Sequence, residues 1–134
     1  MKRVYLDSCL AIYFVEKHPE FTFGIEERLL ALDDPDEVCG SPLSRLECLV
    51  MPLRENDLPL IGAFEAFFQT QVMLEMTAEC FDLAARLRAD HPNLKTPDAL
   101  HLSTAVSHGC DEFWTNDHRL DGIAKIVVKK IINE

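Results

Sequence analysis

What these 134 residues lack excludes several kinds of protein. No apolar run approaches the roughly 18 residues of a membrane-spanning helix. The opening stretch "MKRVYLDSCLAIYFVEKHPE" is basic and then apolar, but Asp7 and Ser8 interrupt it and no small-residue cleavage site follows, so it does not read as a secretory leader. Cys9, Cys39, Cys48, Cys80 and Cys110 are odd in number, with no CxxC spacing and no His pairs at zinc-site intervals. Neither a disulfide framework nor a structural zinc is indicated, and a reducing cytoplasm is the expected setting. Positive charge is short, at 13 Lys and Arg against 23 Asp and Glu, a net charge of -10. A phosphate backbone would be repelled except where cations gather locally. Repeats, low-complexity tracts and linkers are absent, and the length suits one domain spanning residues 1–134.

The charge is uneven. Residues 16–47 hold nine acids against three Lys and Arg, while residues 118–134 hold four Lys and Arg against two acids. Both stretches also read as ordinary solvated surface.

Strand-like and helix-like segments alternate along the chain. "KRVYLD" is a short run of strand formers, followed by helical "SCLAIYFVEK" and a second helix from about Phe23 to Leu32 that stops at "DDPDE". "EVCGS" reads as a strand, with Ser41 and Pro42 as N-cap and first position of a helix to Arg54. "LPLIGAFEAFFQ" and "TAECFDLAARLRAD" read as helices, with "VML" between them as a strand. Thr96 and Pro97 are expected to cap and open the helix "TPDALHLSTAVSHG", closed by Gly109, and "EFWTND" and "AKIVVKKII" are the last strands. The implied fold is α/β: a three-layer sandwich with a central, mostly parallel sheet of four to five strands flanked by helices. In such sheets function gathers at the carboxyl ends of the strands.

Four acids then become candidates. Asp7 ends the first strand and Asp117 follows "EFWTN", so parallel strands would bring both to the carboxyl edge. Asp98, at the second helical position, shares a stripe with Leu102 and Ala105 and should point inward. Glu47 projects within an apolar arc formed by Leu43, Leu46, Leu49, Val50, Met51 and Leu53, where a glutamate is out of place without a partner. Arg54, two turns on, offers the structural alternative of a partly buried ion pair.

Each residue taken singly also has a structural reading. Asp98 suits the helix dipole, Asp7 an N-cap, Asp117 a turn. His101 reads as a structural helix histidine, and Cys9, Cys48 and Cys110 as small packing residues. The functional case rests on the set. Carboxylates 4 Å apart repel by about 4 kcal/mol per pair at an effective dielectric near 20, so a site that gathers them calls for a cation. An all-oxygen donor set selects Mg²⁺ or Mn²⁺ over zinc and suits phosphodiester hydrolysis.

In order and interval, "YLDSCLAIYF", the inward Glu of "SRLECLV", "TPDALHLSTA" and "FWTND" resemble the PIN-domain ribonucleases, particularly the toxin (VapC) branch of toxin–antitoxin pairs. The likeness spans essentially the whole chain. It implies a PIN-like fold in which Asp7, Glu47, Asp98 and Asp117 line a Mg²⁺ or Mn²⁺ site, Ser8 supports the first acid, and Thr115 and Asn116 shape the fourth. It further implies endonucleolytic RNA cleavage, homodimers, and silencing by a cognate antitoxin whose C-terminal segment covers helices near the site. Arg45, Lys95, His118 and Arg119 are candidates to touch RNA phosphate, or else solvated surface charges.

Rival classes are weaker or remain open. A haloacid-dehalogenase-type phosphotransferase needs a second acid two residues after the first, where Cys9 stands. A dinucleotide-binding domain needs a glycine-rich turn that "DSCLA" does not supply. A non-catalytic PIN-like protein-interaction module is the alternative that the acids alone do not remove. The apolar helices "CLAIYFVEK" and "GIEERLLAL", with the aromatic segment "LIGAFEAFF", are candidates for a dimer contact or antitoxin groove. Packing of Phe64, Phe67 and Phe68 into the core is the other reading.

Overall fold

The structure is a computed structural model, and it describes residues 1–131, the side chain of His118 excepted. Strands β1 (Arg3–Leu6), β2 (Glu37–Gly40), β3 (Val72–Met73), β4 (Glu112–Thr115) and β5 (Val127–Lys130) form one sheet in the order β3-β2-β1-β4-β5. Every pairing is parallel. Parallel neighbours require crossovers, supplied by α1 (Ser8–Val15), α2 (Thr22–Leu30), α3 (Pro42–Arg54), α4 (Leu58–Gln69), α5 (Ala78–Asp90) and α6 (Thr96–Ser107). A short 3₁₀ turn, His118–Leu120, follows β4.

The pleat of β1 divides the interior into two halves. Val4 and Leu6 point into a cluster with Leu10, Ile25, Cys48, Leu49, Phe64, Phe68 and Trp114, which packs α1 to α4 on one face. Tyr5 points the other way, into a cluster with Cys39, Ala84, Leu87, Ala99, Leu102, Ala105 and Phe113, which packs α5 and α6 on the opposite face. The result is the three-layer α/β sandwich expected from the alternation of elements.

Local chemistry explains several helix starts. Ser41 accepts a hydrogen bond from the Ser44 amide, Asp57 from Leu60 and Thr77 from Cys80. Prolines 42, 59 and 97 sit in first turns, where a missing N–H costs nothing.

The details differ from expectation in two places, and one open alternative is decided. Lys95, not Thr96, is the N-cap of α6, which moves Asp98 to the third helical position. The Thr96 hydroxyl accepts instead from Arg88 Nη1 at 2.9 Å, a partner reached across the α5–α6 hairpin. The apolar arc of α3 is only partly inside: Ser44, Cys48, Leu49 and Pro52 are buried, whereas Leu46, Val50, Met51 and Leu53 are exposed. A helix packed along one stripe leaves its other apolar positions in solvent, and a sequence apolar on most sides cannot say which stripe is chosen. Phe64 and Phe68 are buried and Phe67 packs on Phe14, so these aromatics belong to the core rather than to a partner surface. Ile132, the last residue of the segment read as the final strand, lies outside the described residues.

Candidate active site

The first acid follows the central strand. The Asp7 amide donates to the Trp114 carbonyl at 2.9 Å, so the chain is still in register with β4 when it turns into α1. Asp7 is then the N-cap of α1, and its Oδ1 accepts from the Ser8 amide at 2.8 Å. Its Oδ2 accepts from Thr115 Oγ1 at 2.8 Å, across 108 residues of sequence. The residue is 7% exposed. The carboxylate is held by two donors from two elements.

Glu47 is held as firmly. Its Oε1 accepts from Ser8 Oγ at 2.8 Å and from His101 Nε2 at 2.6 Å. The Ser8 hydroxyl thus serves the second acid, while only its amide serves the first. Arg54 points elsewhere, toward Met51 Sδ at 3.5 Å, so no Glu47–Arg54 pair forms. Burial pushes the Glu47 carboxyl up, but the hydrogen bond and charge of His101, with the Ser8 bond, hold it below its ordinary value. The direction is opposite to the one that desolvation and neighbouring acids alone would give. The missing factor is a donor, fully buried, 54 residues away in sequence.

The other two acids are less constrained. Asp98 is half-buried, and burial together with the charges of Asp7, Asp117 and Glu47 raises its carboxyl above the ordinary value, against the opposing pull of His101. Asp7 just past β1, Glu47 of α3 and Asp117 just past β4 therefore lie within electrostatic range of Asp98 of α6, at the carboxyl edge of the sheet. The Asp117 amide donates to Thr115 Oγ1 at 3.1 Å, and its carboxylate accepts from Arg119 at 2.9 Å and 2.8 Å. Asn116 faces away from Asp117: its Oδ1 accepts from Cys9 Sγ at 3.2 Å and its Nδ2 donates to the Tyr13 hydroxyl at 3.4 Å.

A cleft of about 380 Å³ opens beside the acids, lined by Lys95, Asp98, Asp117, Arg119 and the segment 90–94. Lys95 and Arg119 thus stand where an anion entering the cleft would meet them. Arg45 does not: it forms a salt bridge with Glu65 at 2.6 Å, among the α3 and α4 residues lining a different groove. The side chain of His118 lies outside the described residues.

The donor set suits a hard divalent cation in kind, because hard ions prefer carboxylate oxygens and the mutual repulsion felt at Asp98 is what such an ion relieves. Among the described residues, however, no group of three or more His, Cys, Asp and Glu side chains is arranged to hold an ion as it stands. As the side chains stand, Glu47 Oε1 accepts from Ser8 and His101, and the Asp117 carboxylate pairs with Arg119.

In sequence His101 reads as a structural helix histidine, and Tyr5 carries no functional signal. His101 is 1% exposed, and its Nδ1 lies 2.7 Å from the Tyr5 hydroxyl. A signal existed: His101 stands one helical turn after Asp98, beside buried Leu102, so it had to face inward near the acids.

The family model for the PIN domain matches residues 4–126. A comparison with curated proteins returns no match. Among solved structures, VapBC2 from Rickettsia felis, bound to a promoter DNA fragment, superposes with a TM-score of 0.81 at 16% identity, covering 95% of this chain and 97% of that one. DNA-bound VapBC from Salmonella typhimurium gives 0.75 at 21% identity, covering 96% and 98%. VapC20 from Mycobacterium tuberculosis, a toxin that cleaves the Sarcin–Ricin loop, gives 0.74 at 12% identity, covering 92% and 98%. At these identities the likeness to the solved structures is one of fold.

Proposed function

The chain belongs to the PIN domain family, and from that premise we propose that it is a metal-dependent endoribonuclease, the toxin of a toxin–antitoxin pair. The observation that carries this reading is the convergence of four acids on one sheet edge, where burial together with the charges of the other three raises the carboxyl of Asp98. Asp7, Glu47, Asp98 and Asp117 would hold Mg²⁺ or Mn²⁺. When bound, such an ion activates water and offsets the charge that develops on the phosphate.

The chain's own residues do the rest. Thr115 and the Ser8 amide fix both oxygens of Asp7, so its direction is set before any ligand arrives. Lys95 and Arg119 line the cleft beside Asp98 and Asp117 and are the cations available to an RNA phosphate. In a protein of net charge -10, they are the positive charges that a polyanion would meet at the cleft. The VapBC structures of like fold support a cognate antitoxin as partner. Leu46, Val50 and Leu53, exposed along one side of α3, are the apolar residues offered to it or to a second copy in a homodimer. No helix among the described residues is long and apolar enough to cross a membrane, and a cytoplasmic site of action fits an RNA target.

The second reading is a non-catalytic interaction module, favoured by the Arg119 side chain engaging Asp117. One assay separates the two. Purified protein incubated with structured RNA should cleave it with Mg²⁺ or Mn²⁺ and stop with EDTA. Intact RNA under all conditions, with a parent that takes up no Mn²⁺ in a calorimetric titration, leaves the interaction module.

A further inference from the structure

Beneath the acids runs a buried line of polar side chains that the mechanism above does not use. The Tyr5 hydroxyl lies 2.7 Å from Ser41 Oγ, 3.2 Å from Ser44 Oγ and 2.7 Å from His101 Nδ1. His101 Nε2 lies 2.6 Å from Glu47 Oε1. Tyr5, Ser41, Ser44 and His101 are each no more than 1% exposed, so these bonds form away from competing water. The Tyr5 ring is itself clamped, stacked on Phe113 at 5.4 Å and edge-on to His101 at 5.6 Å.

With a neutral imidazole, the proton inventory of this line fixes its Glu47–His101–Tyr5 end. A carboxylate oxygen only accepts, so Nε2 must carry the proton that faces Glu47. Nδ1 is then an acceptor, and the single Tyr5 proton goes to it. The Tyr5 oxygen is then free to accept from the Ser41 or Ser44 hydroxyl. Ser8 Oγ and His101 both take the same oxygen of Glu47, Oε1, and neither of them binds Oε2.

We propose that His101 is a positioning residue for Glu47: its Nε2–H and the Ser8 hydroxyl pin Oε1, so that Glu47 presents Oε2 to the site, while Tyr5 fixes the imidazole tautomer. This rests on the reading of Glu47 as a metal ligand. It adds that the ligand's orientation is set by a buried donor on α6, the helix that also carries Asp98. Two of the four acids are thereby tied to one rigid element. A histidine that merely fills the core would owe nothing to the position of its N–H.

Two substitutions separate these roles. His101→Gln carries an amide N–H at the distance of Nε2 and keeps the donor to Glu47, whereas His101→Asn reaches only as far as Nδ1 and loses it. Calorimetric titration with Mn²⁺ should show His101→Asn weakened by about 10–100-fold, the range for losing the partner that orients a ligand, with Gln restoring most of the loss. RNA cleavage should follow the same order, and thermal melts establish that each variant is folded at the titration temperature. In the parent, ¹⁵N spectra should show a His101 ring protonated at Nε2. Parent-like Mn²⁺ affinity in the Asn variant, equal losses in both variants, or a neutral ring protonated at Nδ1 each overturn the positioning role. A parent that takes up no Mn²⁺ gives a different result: it removes the proposed function, and this inference with it.

Discussion

The two halves of the acid cluster are built differently. Asp7 and Glu47 are fixed by donors that come from distant parts of the chain and are themselves buried: Thr115 for the first, His101 for the second, with Ser8 between them. Asp98 and Asp117 face the cleft. The first of these is penalised by burial and by its neighbours' charge, and the second pairs with an arginine only two residues away. A hydrogen bond to a buried donor cannot be replaced by water without opening the fold, whereas a bond to an exposed arginine can. One half is therefore preorganised, and the other is adjustable.

The largest expected effect falls on the preorganised half. Asp7→Asn removes a charge that neither Ser8 nor Thr115 can supply, and cleavage should drop by about 10²–10³-fold, equivalent to several kcal/mol of charge stabilisation. Asparagine is as good an N-cap as aspartate, so α1 should remain and the circular dichroism spectrum should match the parent's. Undiminished cleavage by the folded variant would mean that Asp7 is a cap and nothing more.

Next in size is Tyr5→Phe. The ring still stacks on Phe113, but the hydroxyl that joins Ser41 and His101 is gone, and buried groups left unpaired cost about 1–3 kcal/mol. Denaturant melts should show that loss. An unchanged midpoint would place water or slack in the line and weaken the contrast between the halves.

The halves should also answer pH with opposite signs. The Glu47 carboxyl is held low in the folded protein, so its stabilising contribution is full above the ordinary glutamate value and is lost as pH falls through the depressed one. The Asp98 carboxyl is held high, so the metal-free fold binds that proton more tightly than the unfolded chain and gains stability as pH falls through the raised value. In metal-free melts from about pH 3 to 7, Glu47→Gln should remove a loss on acidification and Asp98→Asn should remove a gain. Slopes that change in the same direction for both variants would show that the two acids share one environment.

The smallest effect is expected at Arg119. Its side chain is 77% exposed, where solvent screens the pair, so Arg119→Gln should leave the melting midpoint nearly unmoved. Mn²⁺ should bind somewhat more tightly once Asp117 is released, while affinity for uncleaved RNA, measured in EDTA, should fall through the lost cation. Mn²⁺ binding that weakens instead would make Arg119 a support for Asp117 rather than its competitor.

How much of this was legible follows from the range of the interactions. α3 was placed from Pro42 to Arg54 because its signals are local: Ser41 as cap, proline at the first turn, apolar residues recurring at helical spacing. The start of α6 was misplaced by one residue because Thr96 resembles a cap in sequence, yet its hydroxyl answers to Arg88 in the neighbouring helix. The four acids could be named because each ends a strand or interrupts an inward stripe. Their electrostatics could not, since the sign at Glu47 depends on a histidine 54 residues away.

The sequence by itself determined the alternation of strands and helices, and with it the parallel sheet, because hydrophobic period and capping chemistry act over a few residues. It also determined which acids would reach the carboxyl edge. Only the tertiary structure decided that Tyr5 and His101 meet across 96 residues, that one oxygen of Glu47 is spoken for, and which stripe of α3 faces solvent. Those outcomes depend on the order of strands in the sheet and the packing of helices across it, and a side chain acquires its partner only when both faces of the sheet have closed.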